Sequence, residues 1–183
     1  IGAGADEIAL VANTTMAVTA IALCFRWEAG DRVVVFDGET GAYLRHWGAY
    51  GEIPDDDYRY DREAASEPPR QFSTVHGLMG SHDGLIYVAD RRGNRIQVFQ
   101  QSGEFVTEKI IAPETRASGS AFVVGLSPDA DQEWLYLADG TNHKVWVLRR
   151  SDLEIVGEFG RGGRQVGQFL RPHGMSVDSQ GNI

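Results

Sequence analysis

The chain has 183 residues, with 17 basic and 26 acidic side chains and a formal net charge of −9. This acidic balance argues against nucleic acid or an anionic membrane surface as a partner. The single cysteine, Cys24, excludes a disulfide framework and a cysteine-based zinc module, while 22 glycines indicate many tight turns between short strands.

The first 31 residues differ in pattern from the rest of the chain. The apolar run at 8–25 is interrupted by Asn13 and by threonines. A buried amphipathic helix that begins at Asn13 explains this run better than a transmembrane span, which would need a longer uninterrupted stretch. We therefore predict a short α-helical segment within 1–31. The run lacks a basic leader and a signal-peptide cleavage pattern, so it leaves the compartment open.

A different pattern begins at residue 32. The stretch RVVVFDGETGAYLRHWG (32–48) reads as a strand, a turn and a second strand, which is half of the unit that recurs downstream. An acidic segment follows, with Asp55, Asp56, Asp57 and Asp61. It is interpreted as a solvated insertion or as a calcium loop, although the regular 12-residue spacing of calcium ligands is absent.

The centre of the chain contains an internal repeat. VADRRGNRIQVF (88–99) and LADGTNHKVWVL (137–148) share an apolar-Ala-Asp strand end, a polar turn and an alternating strand, at an offset of 49. A third copy opens at HGMSVDSQGNI (173–183), which aligns without gaps on HGLMGSHDGLI (76–86). Each full unit gives roughly four short strands in about 45 residues.

A single sheet of this kind cannot bury both of its faces, so neighbouring units must stack. A β-propeller meets that requirement and protects the strand edges. We predict an all-β fold, a partial propeller of about three and a third four-stranded blades. The blade parts are 32–48, 72–110, 120–160 and 169–183.

These repeats, together with the FGRGGRQVGQFLRPHGMSVDSQGN stretch, resemble the NHL-repeat β-propeller family, whose members are typically six-bladed. The resemblance covers residues 32–183 and implies a fold more specifically than a function. Since six blades need roughly 270 residues at about 45 per blade, we expect the chain to be part of a longer propeller.

Two histidines open aligned units. His76 and His173 both stand in an HG motif, and the copy between them has Phe122 at that position. In a six-bladed ring, histidines on alternate innermost strands converge on the axis, as zinc ligands must, with a third from another blade. The alternative is that such a histidine is only a hydrogen-bonding residue common to the repeat.

Arg91 follows His76 by 15 positions. This layout resembles the peptidyl-hydroxyglycine amidating lyases among the NHL-like propellers. The resemblance implies that His76 and His173 are zinc ligands and that Arg91 contacts the substrate. The chain departs from the pattern at Thr141, where a catalytic tyrosine is expected, which puts the lyase chemistry in doubt.

Three other sets of residues have structural interpretations. Asp90 and Asp139 each close a strand and are expected to bond to the Asn94 and Asn142 turns. Trp47, Trp134 and Trp146 are expected to pack between blades. His46, His82 and His143 fall in turns or at strand ends without partners at ligand spacing.

The N-terminal segment carries a second resemblance. DEIALVANTTMAVTAIALCFRWEAGDRVVV is similar to the early part of class V pyridoxal-phosphate aminotransferases, over residues 1–38. There a threonine-rich helix N-terminus such as Asn13-Thr14-Thr15 holds the cofactor phosphate, but the Schiff-base lysine segment is absent. We hypothesise a chimera joined near Val33–Glu39; the alternative is a propeller with a divergent N-terminal segment.

Three functions follow from these patterns. The first is a scaffold that binds a small molecule or peptide in the propeller channel or on its loops. The second is a zinc-dependent lyase in the intact parent protein, with His76, His173 and Arg91 at its site; as this fragment alone it is expected to be inactive. The third, a fragment of an aminotransferase, depends only on the N-terminal segment. NHL propellers of this type are often exported, but nothing in the sequence decides the compartment.

Overall fold

The computed structural model describes residues 32–36, 41–61 and 67–183, which form strands, turns, short connections and a 3-10 helix at Ala49–Gly51. The helix predicted within 1–31 lies outside the described residues. The chain divides into two compact units, Ile1–Arg26 with Val34–Arg45, and Trp27–Val33 with His46–Ile183. The first unit is described only at 34–36 and 41–45, and the second contains the two full repeats. The predicted boundary between 31 and 32 stays a prediction.

The described strands form three antiparallel sheets. A two-stranded sheet pairs β1 with β2, and each full repeat forms a four-stranded meander in chain order. We call β3–β6 the first blade and β7–β10 the second. The strands are β1 Val33–Phe36, β2 Tyr43–Trp47, β3 Val75–Gly80, β4 Leu85–Asp90, β5 Arg95–Gln100, β6 Phe105–Ile110, β7 Val123–Leu126, β8 Trp134–Asp139, β9 Lys144–Arg149 and β10 Glu154–Phe159.

One apolar core lies between the two blades. Alternate residues of each strand point to the same face, so the apolar positions of one blade meet those of the next. Trp146 packs against this core, as expected for an inter-blade tryptophan, while Trp47 packs on Phe99 with ring centres 5.8 Å apart. The core residues are Tyr87, Ala89, Ile96, Val98, Ile111, Ala121, Val124, Leu126, Leu135, Leu137, Leu148 and Leu153.

The third copy of the repeat forms its turn but no strand. In the first blade Ser81 N donates to Leu85 O at 2.9 Å, and at the aligned position Asp178 N donates to Asn182 O at 3.0 Å. The residues before that turn, 171–177, are not part of a strand. The blade part predicted at 169–183 stays a prediction.

A buried ion pair organises one end of the first blade. Asp90 and Arg95 are both 0% exposed, and Arg95 Nε donates to Asp90 Oδ2 at 3.0 Å. The other Arg95 nitrogens donate to Tyr50 Oη at 2.8 Å and to the carbonyl of Gln71 at 3.0 Å. Glu108 adds a second carboxylate 3.5 Å from Nη1. All three guanidinium nitrogens of Arg95 thus have partners.

The prediction that Asp90 bonds to the Asn94 turn is confirmed, because Asp90 Oδ1 accepts from Gly93 N at 3.3 Å. The same oxygen also accepts from the backbone N–H groups of Ser73 and Thr74, at 3.0 and 2.8 Å. Its buried charge needs several donors, and the backbone before β3 supplies them. Asp139 also bonds to its turn, since it accepts from Asn142 N at 3.0 Å and Asn142 Nδ2 at 2.7 Å.

Arg150, at the end of β9, ties the two blades together. Its Nη1 contacts both Asp83 carboxylate oxygens, at 3.0 and 2.9 Å, and Tyr87 Oη at 3.2 Å in the first blade. Its Nε and Nη2 donate to the carbonyls of Gln132 and Asp131 in the second blade, each at 2.8 Å.

In the part of the chain that the structure describes, no helix has the length and apolar character to cross a bilayer.

Candidate functional site

His76 lies on β3 with its ring against the start of the second blade. Its Nδ1 is 2.8 Å from the carbonyl oxygen of Phe122. Gly77 makes this approach feasible, because a Cβ at that position would lie 2.8 Å from the same carbonyl oxygen and 2.9 Å from Val123 Cα. The glycine of the HG motif therefore brings β3 and β7 close enough for the histidine to reach the neighbouring backbone.

His173 comes to the same place from the third copy of the repeat. Its Nε2 lies 3.3 Å from His76 Nε2, and the two ring centres are 4.6 Å apart. Phe122 completes the group, with its ring centre 5.1 Å from that of His76 and 5.5 Å from that of His173. The two histidines singled out in the sequence are thus brought together across the intervening copy.

The hydrogen bond to Phe122 sets the tautomer of His76. A carbonyl oxygen only accepts, so Nδ1 carries the proton and Nε2 of the neutral ring presents its lone pair towards His173. Burial lowers the pKa of His76 to about 4, and the positive charges of Arg91, His173 and Arg171 add to the effect. His76 is therefore neutral near pH 7 and available as a ligand or hydrogen-bond acceptor.

Arg91 and Arg171 both lie against Phe122. Their Cζ atoms are 5.2 and 6.0 Å from the centre of its ring, within the range of cation–π attraction. Arg91 follows β4, and its Nε is buried without a hydrogen-bond partner. The exposed Arg171 is held by Ser118, whose Oγ accepts from Nη2 at 2.8 Å. The four side chains His76, His173, Arg91 and Arg171, with the Phe122 ring, are called the inner cluster below.

Gly140 leaves room for the Phe122 ring in the second blade. Gly140 occupies the repeat position of Arg91, and a Cβ there would lie 2.8 Å from Phe122 Cε1 and 2.7 Å from the carbonyl oxygen of Pro172. The absence of a side chain at 140 lets the ring pack onto the backbone. It also lets the segment before His173 approach.

The other residues singled out in the sequence have different surroundings. His143 Nδ1 accepts from Arg171 N at 3.2 Å, and His46 lines a pocket of about 520 Å³ with Trp47, Tyr50 and Phe105. In the acidic segment, Asp56 pairs with Arg32 at 2.5 Å and Asp55 accepts from Asp57 N at 2.9 Å. A calcium ion in this segment stays a prediction.

The histidine pair fits two ligand positions of a zinc ion. Two nitrogens bound to a tetrahedral zinc at its usual Zn–N distance are about 3.3 Å apart, which is the separation of the two Nε2 atoms. A metal-bound histidine usually donates its other N–H to a carbonyl or carboxylate, as His76 does to Phe122. Within residues 32–36, 41–61 and 67–183, however, no three His, Cys, Asp or Glu side chains cluster at metal-binding distance.

No family model matches the chain. Among solved structures, a hydrazine synthase from Kuenenia stuttgartiensis is similar with a TM-score of 0.55 and 12% identity, over 84% of this chain and 35% of that one. A virginiamycin B lyase from Staphylococcus aureus is similar with a TM-score of 0.53 and 16% identity, over 84% of this chain and 41% of that one. This chain thus covers less than half of either structure. At such identities the likeness shows the fold alone.

These neighbours are propeller-type folds, and the described strands are all β in successive four-stranded sheets. The chain is a partial β-propeller, as the repeat predicts. The likeness to the N-terminal part of class V aminotransferases concerns residues 1–38, of which only 32–36 are described, and it stays a prediction.

Proposed function

We propose that the chain belongs to an NHL-type, six-bladed propeller that serves as a scaffold for binding a small molecule or peptide at the inner cluster. The observation that carries this proposal is the meeting of side chains from three successive copies of the repeat. His76 and Arg91 come from the first blade, Phe122 from the second, and His173 from the third copy. These residues are far apart in the sequence, so only the tertiary fold brings them together.

The groups that meet there suit ligand recognition. The neutral His76 ring offers Nε2 as a hydrogen-bond acceptor, Phe122 offers an aromatic edge, and Arg91 offers a guanidinium whose Nε lacks a protein partner. Loops placed by rigid strands commonly carry binding residues, and the inner cluster lies where strand ends meet connecting segments.

Binding at this place can be tested without knowing the natural ligand. The ¹⁵N-labelled chain is screened by NMR against a library of neutral, cationic and anionic fragments, with spectra recorded for the parent chain and for His76→Gln. We expect fragments that shift the resonances of His76, Phe122 and His173 and that lose this effect in H76Q. The exposed His82 supplies the matched control, since H82Q should leave the shifts intact. Fragments that bind only elsewhere, or equally to H76Q, would argue against a ligand site here.

The second candidate is a zinc-dependent lyase similar to the peptidyl-hydroxyglycine amidating lyases. The observation that favours it is the 3.3 Å separation of the two Nε2 atoms. His76 and His173 would hold the metal, which when bound supplies a Lewis acid at an open coordination position. Arg91 would orient a substrate carboxylate or carbonyl. Thr141 at the expected tyrosine position leaves the proton-transfer group of such a reaction unassigned.

Zinc binding separates this candidate from a metal-free scaffold. The chain is treated with chelating resin, dialysed against zinc and analysed for metal content, alongside H76Q, H173Q and the control H82Q. We expect more bound zinc in the parent and in H82Q than in the other two, because a site that has lost one of its two histidines binds zinc more weakly. Equal zinc content in all four proteins would rule out this pair as ligands.

A further inference from the structure

The inner cluster carries an excess of positive charge in an acidic protein. Arg91 and Arg171 lie against the Phe122 ring and are among the charges that act on His76, and Arg171 and Arg92 act on Arg91. All three of these arginines are cationic. The net charge of the whole chain is −9. A local excess of positive charge in an acidic protein indicates a binding site for an anion.

Arg91 is partly buried among other cations. Burial, with the nearby charges of Arg171 and Arg92, lowers its pKa. Its Nε has no acceptor, whereas buried arginine nitrogens usually have one. An acceptor supplied by a ligand would satisfy Nε and offset the repulsion.

The backbone packs so as to keep Arg91 and Arg171 together. Gly119 has a φ of +83°, and a Cβ there would lie 1.9 Å from the carbonyl oxygen of Arg91. The neighbouring Ser118 accepts from the Arg171 guanidinium. One short loop therefore contacts both arginine segments, the first through its glycine and the second through its serine.

We propose that Arg91 and Arg171 form a binding site for an oxyanion, so that the ligand of the inner cluster carries a carboxylate or a phosphate. This deepens the proposed function and rests on it, because it names the chemical class that the scaffold binds. Guanidinium groups present parallel N–H donors that match two oxygens of such a group. Both guanidinium groups lie against the Phe122 ring, and Nε of Arg91 has no protein acceptor and can donate to a ligand.

Arg171 is the new element of this site. Its equivalent in the first copy, 97 positions earlier, is Thr74, so the repeat itself gives no reason for an arginine there. Arg171 stands two positions before His173 and reaches back over Phe122 towards Arg91. In the site proposed here, Arg171 acts as a binding residue that selects for charge.

Calorimetric titration tests the site on the metal-free chain, treated with chelating resin, with sodium phosphate and with sodium malonate at constant ionic strength in chloride. We expect saturable binding of at least one anion, weakened ~10-fold or more by Arg91→Gln and likewise by Arg171→Gln, since each removes a charged hydrogen bond. Arg164→Gln removes the same charge at an exposed position and should change affinity less than ~2-fold. The preferred anion then distinguishes a phosphate ligand from a carboxylate.

The outcomes separate this inference from the function on which it rests. Neutral fragments that bind at His76 while neither anion binds would overturn the oxyanion site and leave the scaffold standing. Anion binding that R164Q weakens as much as R171Q would also overturn it, since the effect would be one of net charge. Because Arg171 is exposed, R171Q is expected to fold as the parent does. A circular dichroism melt of each variant checks this.

Discussion

Arg91, directly after β4, and Arg95, the first residue of β5, stand four positions apart, yet their surroundings are opposite. Arg95 is fully buried and each of its guanidinium nitrogens has a protein partner, including the carboxylate of Asp90. Arg91 is partly buried among other cations, and its Nε has no partner. The difference separates an arginine that holds the fold together from one whose environment is incomplete without a ligand.

The largest expected effect on stability is at Arg95, whose guanidinium nitrogens all have protein partners. Arg95→Met should lower the free energy of unfolding by about 3 to 5 kcal/mol, because it leaves the Asp90 carboxylate buried without its counter-ion. Chemical denaturation followed by circular dichroism measures the change. Arg149→Met breaks an exposed pair with Asp152 and should have little effect. Equal losses in the two variants would contradict the structural role assigned to Arg95.

Gly119 tests how firmly Arg91 is placed. Gly119→Ala should cost about 2 kcal/mol or more, because it adds a backbone clash with Arg91 to the strain of a positive φ. Gly167 has a similar φ of +74°, but a Cβ added there would have no atom within 4 Å. Gly167→Ala is thus a matched control for the strain alone, measured by the same denaturation experiment. A loss in G119A no greater than in G167A would mean that the loop adjusts without moving Arg91.

His76 should make stability depend on pH. Its pKa is about 4 in the fold and near 6.5 in the unfolded chain, so the unfolded chain binds more protons between these values. The contribution is fully present above pH 6.5 and is lost as the pH falls towards 4. We expect it to be on the order of 1 to 2 kcal/mol, since solvent screens a partly exposed ring.

Unfolding curves from pH 7 to pH 4 measure this contribution on the metal-free chain. His76→Phe should flatten the dependence, whereas His82→Asn, in an exposed turn, should retain it. A profile that is the same in H76F and in the parent would mean that other groups cause the acid sensitivity.

The smallest expected effect on stability is at Arg91 itself. Arg91→Gln should change the free energy of unfolding by no more than about 0.5 kcal/mol, because losing the cation relieves repulsion while little bonding is lost. The same denaturation experiment used for R95M gives the comparison directly. A loss in R91Q as large as that in R95M would show that Arg91 is structural and would remove the contrast.

The repeat could be predicted from the sequence because its signals are local. Alternation of apolar residues, glycines in turns and the Ala-Asp strand ends all act within a few positions, and they indicate the two blades. The meeting of His76 with His173 followed from the alignment of the copies. Arg171 was not singled out, since Thr74 stands at its aligned position in the first copy.

The partners of Arg95 also could not be predicted. Tyr50 lies 45 positions away in a connection outside the repeat, and its backbone adopts a left-handed φ of 59° that nothing in the local sequence requires. The backbone N–H groups of Ser73 and Thr74, which donate to Asp90, could not be predicted either, because no side-chain pattern in the sequence identifies them. Contacts of this kind depend on tertiary packing, which composition and periodicity do not encode.

The bonds that Arg150 makes to both blades have a geometric consequence. They fix the rotation of the second sheet relative to the first, because one planar guanidinium group bonds to Asp83 in the first blade and to the 131–132 carbonyls in the second. A ring closes only when equal rotations add up to a full turn. A small angular error at one joint, copied at every joint by duplication of the repeat, would leave a gap or an overlap where the last blade meets the first.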